Sequence, residues 1–415
     1  MGAIVAAAHG SRVSAETAPA LSVDIVDDDA AFRALKTAWE ALAARVPDHS
    51  AGQTYAWCRA GWDTAPADGR TLQCITVRSG GRLVGVWPFV KRRRGLANVL
   101  EPLGSGGHEE YGGPLVEDGP EAEEITRLAW RTLRGLGDVV ILYNIRVDAP
   151  LNRMIGDAGL ACSSQTTPSP IIEFAQFATW ADYEASRSTQ LFSLLRRRKR
   201  KLERMGRLSF AVAQGEAAIA AGVDWLLSHK RNWMDAKGLP GDWLRTEQSR
   251  AFLALAAIDS QRSGGPKWDR VQLFLLTLDD KPIAGVYALV NPGSFEFYIV
   301  ANDPAYNAVS PGNVLIEHLV RWAYDRGLTF DFRMVAASYK ERWSNATTHW
   351  TSFRIACTWR GLPEIYRARS RSAVRAAKQA LARRLDPKTR EQIKRLLNVV
   401  RRQGRQGAAE EASEA

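Results

Sequence analysis

A weak internal repeat limits the fold of this chain more than any other feature of its sequence. At an offset of 200 residues, the segment GGRLVGVWPFV at 80–90 aligns with DKPIAGVYALV at 280–290. Three identities and one aromatic exchange define the match: Gly85 with Gly285, Val86 with Val286, Val90 with Val290, and Trp87 with Tyr287. In each copy a tight polar turn follows one strand and leads into an apolar strand, which is the pattern of a β-hairpin. A pair of equivalent hairpins favours a duplicated domain over one large sheet.

The 415 residues divide into four expected segments, two of them long enough to form domains. Residues 1–20 are rich in Ala, Gly and Ser and are expected to form a flexible N-terminal arm. Residues 21–165 alternate helical and strand patterns, and residues 171–365 repeat this alternation in a second domain. The stretch SSQTTPSP at 163–170 is the best candidate for the linker between them. A basic helical tail occupies residues 366–415.

The second domain has the clearer pattern of helices and strands. Its strands are expected at 272–278, 282–290, 295–300 and 329–334, and a helix at 311–326 separates the last two. Alternation of this kind predicts an α/β (α+β) fold with mixed central sheets.

The net charge of +11 is concentrated in two segments. Residues 196–207 contain eight basic residues and one acidic residue, and residues 366–406 contain 14 basic and two acidic residues. The rest of the chain is mildly acidic, so only these two segments require a polyanionic partner. We expect the first segment to form a helix beside a cleft, where it binds phosphates or an anionic acceptor. The alternative is that its charges form a solvated helix face.

The tail is expected to form two basic helices, broken at Asp386-Pro387. Aliphatic side chains alternate with its arginines, a composition that suits an anionic membrane surface. No aromatic residue follows Tyr366, so sequence-specific binding of nucleic acid is not expected. These features predict a cytoplasmic protein, peripheral at the inner face of the membrane if the tail binds lipid.

Several functional classes lack their motifs in this sequence. Four cysteines lie far apart, without a CxxC pair, at Cys58, Cys74, Cys162 and Cys357. This spacing favours reduced thiols over disulfides or a zinc site, so no metal is expected. Hydrolase and kinase interpretations are weak, because the chain has no Ser-His-Asp order, phosphate-binding Walker loop or HExxH motif.

A possible phosphate seat lies at the start of the helix expected at 311–326. Ser310 is placed to cap this helix, Pro311 suits its first position, and Gly312 allows a ligand to approach the backbone. Free N–H groups at such a helix start bind phosphate. The alternative interpretation is an ordinary helix start without a ligand.

The order of elements and several motifs resemble the GNAT acyltransferase core, in particular its CelD-like branch, which is associated with bacterial cellulose and exopolysaccharide genes. The resemblance covers residues 192–359. It rests on the basic helix at 191–207, Arg231-Asn232-Trp233 with Lys237-Gly238, KPIAG at 281–285, DPAYNAVSPGNVL at 303–315, and FDFRMVAASYKERW at 330–343. The first half, with HEEYGGPL at 108–115, is similar to the less conserved part of the same family. That arrangement resembles the two tandem GNAT-like domains of the Fem peptidyltransferases.

The resemblance implies transfer of an acyl group from acetyl-CoA or another acyl-CoA to an amine or hydroxyl. The acceptor implied is a saccharide or a sugar-linked group, in polysaccharide or cell-envelope biosynthesis. Ser310, Gly312 and Asn313 are the implied pyrophosphate-binding residues. One departure is notable, because the family often has a glycine and an acidic residue where this chain has RMVAAS at 333–338.

Three residues are candidates for the catalytic chemistry. Tyr339 is placed to protonate the departing thiolate, and Lys340 to bind phosphate or stabilise negative charge. Asp331 points away from the apolar face of its strand and is a candidate base. The alternatives are an aromatic wall for Tyr339, a solvated cation for Lys340, and a structural partner of nearby basic residues for Asp331.

Four further residues are candidates for substrate binding. Glu296 and Tyr298 alternate outward on the strand that precedes the phosphate seat. Trp233 and Trp343 are placed to stack on an acceptor sugar, or else to fill the core. His318 lies on the apolar stripe of the following helix and is interpreted as a core histidine.

Two other functions fit the same sequence. A Fem-like transferase would use aminoacyl-tRNA as its donor and hold the RNA with the basic helices. A non-catalytic GNAT fold would serve as a scaffold for a membrane polysaccharide synthase.

Overall fold

The computed structural model describes residues 20–384, with gaps at 67, 108–109, 240, 263–269 and 335–336. The expected N-terminal arm at 1–20 lies outside the described residues except for its last position. The second basic helix of the tail, expected after Asp386-Pro387, lies outside them as well.

The first half of the chain alternates strands and helices, as expected. Its strands are β1 (Leu21–Val26), β2 (Thr71–Ser79), β3 (Arg82–Arg94), β4 (Ala97–Pro102), β5 (Leu115–Val116), β6 (Val139–Arg146) and β7 (Cys162–Ile172). Its helices are α1 (Asp29–Ala34), α2 (Lys36–Ala43), α3 (Tyr55–Asp63), α4 (Ala122–Gly135) and α5 (Pro150–Asp157).

The second half begins with helices and ends in the basic tail. Its strands are β8 (Leu208–Val212), β9 (Arg270–Leu278), β10 (Lys281–Val290), β11 (Ser294–Asn302), β12 (Thr329–Asp331) and β13 (Ala346–Ala356). Its helices are α6 (Trp180–Ser186), α7 (Thr189–Glu203), α8 (Glu216–Lys237), α9 (Glu247–Arg262), α10 (Pro311–Tyr324), α11 (Ser338–Trp343) and α12 (Leu362–Arg384). The mixed α/β class expected from the sequence is confirmed.

The strands of the described residues form one continuous mixed sheet. Its order is β1-β2-β3-β4-β6-β13-β7-β12-β11-β10-β9-β8, and β5 pairs with the edge of β3. The pairs β4/β6 and β11/β12 are parallel, whereas the other pairs are antiparallel. The preference for separate domain sheets over one large sheet was therefore wrong. The division into domains at 21–165 and 171–365 stays a prediction.

The last strand of each half joins the two parts of the sheet. Strand β13 lies between β6 and β7, and β7 lies between β13 and β12. The final strand of each half therefore pairs with a strand of the other half: β7 with β12, and β13 with β6. This exchange brings loops of the first half next to the strands β11 and β12 of the second.

The stretch expected to be a linker, residues 163–170, is instead the middle of β7. It pairs with β13 from Cys162, opposite Ile355, to Ile171, opposite Ala346. Ser, Thr and Pro made this stretch resemble a linker. Ser and Thr are compatible with a partly exposed strand, and Pro170 uses its carbonyl, which accepts from the N–H of Phe332 at 3.1 Å.

The repeated hairpins are confirmed as equivalent elements of the two halves. The turn between β2 and β3 has positive φ at Gly80 and Gly81, and the turn between β9 and β10 has positive φ at Asp279 and Asp280. Two successive left-handed residues define the tight turn whose twist matches that of a hairpin.

The second half buries apolar side chains on both faces of its sheet. One face packs against α7 and α10, and the other against α8 and α9, where Trp57 of the first half also packs. The strand expected at 329–334 is shorter than predicted, because β12 ends at Asp331 and Arg333 adopts a left-handed backbone conformation with φ of 60°. A polar cluster occupies the place where this strand ends.

Candidate active site between diverging strands

The parallel strands β11 and β12 stay together for only three residue pairs. They pair from Ser294 with Thr329 to Glu296 with Asp331, where β12 ends. Strand β11 continues to Asn302, and β10 is its only strand neighbour there among the described residues. A gap between the strands therefore opens beyond Glu296, and backbone groups of β11 face it. A bulge at this point, between the pairs of Tyr287 and Ala288, leaves Tyr298 as the extra residue.

Glu296 and Arg333 form a buried ion pair at the start of the gap. The Arg333 Nη1 donates to Glu296 Oε2, and the side chains are 5% and 2% exposed, respectively. Asn291 Nδ2 donates to the other carboxylate oxygen at 2.6 Å. Burial raises the pKa of Glu296 to about 7, although the charge of Arg333 opposes this shift. A carboxyl group with this pKa exchanges protons near neutral pH.

Asp331 accepts three hydrogen bonds and is almost fully buried. Tyr111 Oη donates to Oδ2 at 2.6 Å, and Ser169 Oγ and the backbone N–H of Arg333 both donate to Oδ1 at 2.6 Å. The carboxylate points away from Phe330 and Phe332, as the strand alternation predicted. It supports Arg333 through the backbone rather than through the guanidinium group.

Two tyrosine rings enclose the guanidinium group of Arg333. Its central carbon lies 4.3 Å from the ring centroid of Tyr111 and 5.0 Å from that of Tyr298. Tyr111 also stacks on Trp350, with centroids 3.7 Å apart. Cation–π contacts of this kind stabilise a buried arginine. The site therefore combines side chains from both halves of the chain.

Lys340 holds the loop that follows β12. It is buried, and its Nζ donates to the carbonyl oxygens of Phe332, Arg333 and Met334 at 2.8, 3.1 and 3.2 Å. The interpretation of Lys340 as a solvated cation was wrong, because the side chain is buried, whereas its role in binding phosphate or stabilising negative charge stays a prediction. An ammonium group with three N–H donors is occupied by these three carbonyls, so Lys340 acts on the site through the backbone that it holds.

Tyr339 lies at the wall of the same region. Its half-buried ring meets that of Phe332 edge-on at 6.4 Å. Burial raises the pKa of its hydroxyl to about 12, so the phenol keeps its proton at neutral pH. This state suits a proton donor, and that role stays a prediction.

The two tryptophans expected at the acceptor site lie in different environments. Trp343 is 1% exposed and packs edge-on against Phe192 at 5.6 Å. Its expected stacking on an acceptor was wrong, because the ring is a core side chain. Trp233 is 48% exposed on α8, with Lys230 Nζ 4.6 Å from its ring centroid.

Ser310, Gly312 and Asn313 lie together at the start of α10, beside the end of β11. The expected side-chain cap was wrong: Ser310 is left-handed, with φ of 49°, and its hydroxyl donates to Asn307 at 3.3 Å instead of accepting from the helix. A Cβ atom on Gly312 would lie 2.4 Å from Asn302 Oδ1. The glycine therefore makes room for Asn302, a residue of this chain.

The basic helix α7 packs against α10 and against the turn at 304–309. Its apolar face buries Leu191, Phe192, Leu195 and Leu202, whereas Met205, just beyond the end of the helix, is exposed. Burial lowers the pKa of Arg198, and the nearby charges of Arg197 and Arg342 lower it further. In the described chain these three arginines form no ion pair with an acidic side chain. Because the charges of Arg197 and Arg342 act on Arg198, the three form a cationic cluster.

His318 lies on the side of α10 that faces β8. Its ring stacks on Phe210 at 5.2 Å, and burial lowers its pKa. It is a packing residue, as interpreted from the sequence. Among the described residues, no group of three His, Cys, Asp or Glu side chains is placed to hold a metal ion. No described helix is both long and apolar enough to span a membrane.

Comparison with known proteins agrees with this geometry. Residues 192–341 match the family model described as an acetyltransferase (GNAT) domain. A search of curated protein sequences found no match. The fold is similar to that of FemX, with a TM-score of 0.54 and 10% identity over 76% of this chain and 95% of FemX.

Other structures are similar at lower TM-scores. A tandem GNAT protein from the clavulanic acid biosynthesis pathway has a TM-score of 0.45 and 14% identity, over 81% of this chain and 99% of that protein. L-PGS from Bacillus licheniformis has a TM-score of 0.40 and 14% identity, over 66% and 82% of the two chains. Residues 192–341 are therefore similar to a GNAT acetyltransferase domain, and the fold of the chain is similar to that of FemX.

Sequence reasoning missed several residues of this cluster as site residues. Tyr111 lies in the HEEYGGPL motif and was assigned no role, Arg333 was a departure from the family pattern and a possible partner of Asp331, and Ser169 was assigned to a linker. The pairing of β7 between β12 and β13 brings Ser169 to Asp331, and no local pattern signals that pairing.

Proposed function

We propose that the chain is an acyl-CoA-dependent N- or O-acyltransferase that acts on a saccharide or a sugar-linked amine or hydroxyl. The observation that carries this proposal is the gap between β11 and β12, with the start of α10 beside it and the basic helix α7 packed against α10. A role in polysaccharide or cell-envelope biosynthesis is part of the proposal and rests on the motifs that resemble the CelD-like branch.

The donor would be bound by the backbone and by cations. The first turn of α10, at Ser310, Gly312 and Asn313, would hold the pyrophosphate, because N–H groups at a helix start bind phosphate. Arg198 and Arg342, which lack acidic partners in the described structure, fit a ligand with several phosphate charges. Acyl-CoA is such a ligand.

The reaction needs a base, a polarised carbonyl and a proton for the thiolate. Glu296 is better suited as the base than Asp331, because its pKa of about 7 matches neutral pH, whereas Asp331 already accepts three hydrogen bonds. The amine nitrogen or hydroxyl oxygen of the acceptor attacks the carbonyl carbon of the thioester, and its proton passes to Glu296. Backbone N–H groups of β11 polarise that carbonyl, the C–S bond breaks, and Tyr339 protonates the thiolate.

Binding measurements distinguish this function from the two alternatives, a Fem-like aminoacyl transferase and a non-catalytic scaffold. Calorimetry should detect binding of acetyl-CoA or of a longer acyl-CoA. The release of free CoA thiol should depend on an added saccharide, for example an amino sugar such as glucosamine. Tight binding of aminoacyl-tRNA that acyl-CoA does not compete with would instead favour a Fem-like donor. If the protein binds neither an acyl-CoA nor a charged tRNA, the non-catalytic scaffold is favoured.

We also propose that the start of the basic tail binds an anionic membrane surface. Trp359 is 72% exposed immediately before α12, and Arg360 lies 5.6 Å from its ring centroid. Tyr366 and several arginines on α12 are also exposed. An exposed aromatic side chain beside cations suits a lipid headgroup region.

Vesicle sedimentation tests this surface. The protein should sediment with vesicles that contain phosphatidylglycerol and not with pure phosphatidylcholine, and Trp359→Ala should weaken binding several-fold. Leu96→Ala is the matched control, because Leu96 is an equally exposed apolar residue in the first half. Equal binding to both vesicle types would exclude an electrostatic surface.

A further inference from the structure

The first half of the chain contains its own pair of diverging parallel strands. Strands β4 and β6 pair only at Val99 with Val139 and at Leu100 with Val140. Beyond these residues β6 continues to Arg146, and its other edge pairs with β13. The first half therefore opens a gap like the one between β11 and β12 in the second half.

A segment of the chain itself fills this first gap. The Gly112 N–H donates to the Asn144 carbonyl on β6 at 3.2 Å, and Asn144 Nδ2 donates to the Glu110 carbonyl at 2.9 Å. On the side of β4, Glu110 Oε1 accepts from the backbone N–H of Ser105 at 2.8 Å. The chain then continues into β5, which pairs with the edge of β3.

The fit of this segment leaves no room for a side chain at its centre. A Cβ atom on Gly112 would lie 2.3 Å from the Tyr143 carbonyl oxygen, well below a van der Waals contact. The backbone of the segment thus contacts β6 directly.

The same segment carries a side chain into the second gap. The Tyr111 hydroxyl donates to Asp331 at 2.6 Å, and its ring contacts the guanidinium group of Arg333. Asp331 in turn accepts from the Arg333 N–H, and Arg333 pairs with Glu296. A continuous set of contacts therefore runs from the first-half segment to the carboxylate proposed as the base.

We propose that residues 110–113 close the donor gap of the first half and that Tyr111 is a positioning residue for the single reaction centre in the second half. In the first half, the gap between β4 and β6 is thus closed, and this half supplies Tyr111 to the site in the second half. The kinetic part of this inference rests on the proposed acyl transfer, whereas the closed gap does not.

Amide hydrogen exchange tests the closed gap without any donor. Gly112→Ala should increase exchange at the backbone N–H of residue 112, in the peptide that spans 110–116, because the added methyl group pushes the segment away from Tyr143 and breaks the hydrogen bond to Asn144. Gly156→Ala is the matched control, since a Cβ atom there meets nothing within 4 Å. Unchanged exchange at 110–116 in Gly112→Ala would overturn the closed gap.

Calorimetry and kinetics test the consequences. Wild-type protein should bind one acetyl-CoA per chain, and two would overturn the inference. Tyr111→Phe keeps the ring and removes the hydroxyl, so it should lower kcat at least tenfold, shift the acid limb of the pH–rate profile, and change the donor KM less than threefold. Tyr111→Leu should lower kcat further than Tyr111→Phe does, because the contact between the ring and Arg333 also disappears.

Tyr55→Phe is the control, because Tyr55 is a buried first-half tyrosine away from this network. A wild-type rate and pH profile for Tyr111→Phe would remove Tyr111 from the mechanism. If neither acyl-CoA binding nor transfer is found, the proposed function fails, and the exchange experiment still decides whether the first gap is closed.

Discussion

Arg333 and Glu296 form an ion pair whose charged groups are almost completely shielded from solvent. Arg333 reaches this position from a left-handed backbone conformation that is unusual for a residue with a side chain. Three neighbours hold it there: the carboxylate of Asp331, the ammonium group of Lys340 and the ring of Tyr111. Because a buried charge without its partner is costly, this pair links the electrostatics of the site to the stability of the fold.

The ionisation of Glu296 should make stability depend on pH. Burial raises its pKa from 4.5 to about 7, so the folded state holds this proton more tightly than the unfolded state does. The resulting stabilisation is complete below pH 4.5 and is lost as the pH rises through about 7. We expect the free energy of unfolding to decline over this window in the wild type, and less so in Glu296→Gln.

Urea titrations followed by circular dichroism between pH 5 and 8 measure this difference. Glu341→Gln, on the exposed surface of α11, should keep the wild-type slope. Parallel curves for the wild type and Glu296→Gln would contradict the raised pKa.

Replacing Lys340 by Met should loosen the loop after β12. The change removes three charge-assisted hydrogen bonds to backbone carbonyls and should lower the free energy of unfolding by about 3 kcal/mol. We expect kcat to fall while the dissociation constant for acyl-CoA changes less than threefold. Lys281→Met, at an exposed position of β10, is the control. A tenfold loss of acyl-CoA affinity without destabilisation would restore the phosphate role predicted from the sequence.

Removing the hydroxyl of Tyr339 should affect turnover more than folding. Tyr339→Phe keeps the contact with Phe332 and removes the proton donor, so kcat should fall at least tenfold while the melting temperature stays within about 2 °C. Steady-state kinetics and thermal melts measure the two effects. Tyr324→Phe, another half-buried tyrosine, should retain the wild-type rate. The same rate in Tyr339→Phe would assign protonation of the thiolate to another group.

The two tryptophans should respond differently to truncation. Trp343→Ala should destabilise the fold by about 3 to 5 kcal/mol, because a core aromatic ring leaves a cavity. Trp233→Ala should change the free energy of unfolding by no more than about 0.5 kcal/mol, because nearly half of this residue is exposed. Denaturant titrations compare the two variants directly, and equal losses would contradict their placement.

Local patterns in the sequence predicted most of the second half correctly. The strands at 272–278 and 282–290 and the helix at 311–326 follow from apolar periodicity and from helix-start residues. The repeated hairpin followed from turn chemistry, which depends on a few neighbouring residues. These features are encoded within about ten residues of each other, so a single sequence is enough to detect them.

The site was predicted only in part, since its residues are distant in the chain. Asp331 and Glu296 were candidates, and their side chains do face a polar cluster. Tyr111 and Ser169, which donate hydrogen bonds to Asp331, lie 220 and 162 positions away from it. Lys340 and Trp343 belong to the same short motif, yet both proved to be buried supports, because burial depends on packing between elements.

By itself, the sequence determined the α/β class, the duplicated hairpin, the basic helices and the acyltransferase motifs, because periodicity, turn chemistry and charge are local properties. Only the tertiary structure decided that β7 and β13 lie side by side at the centre of one sheet. That arrangement closes the first gap with residues 110–113 and brings Tyr111 to Asp331. Strand pairing is decided by backbone hydrogen bonds and by shared core packing between segments far apart in the chain, and neither is visible in a local pattern.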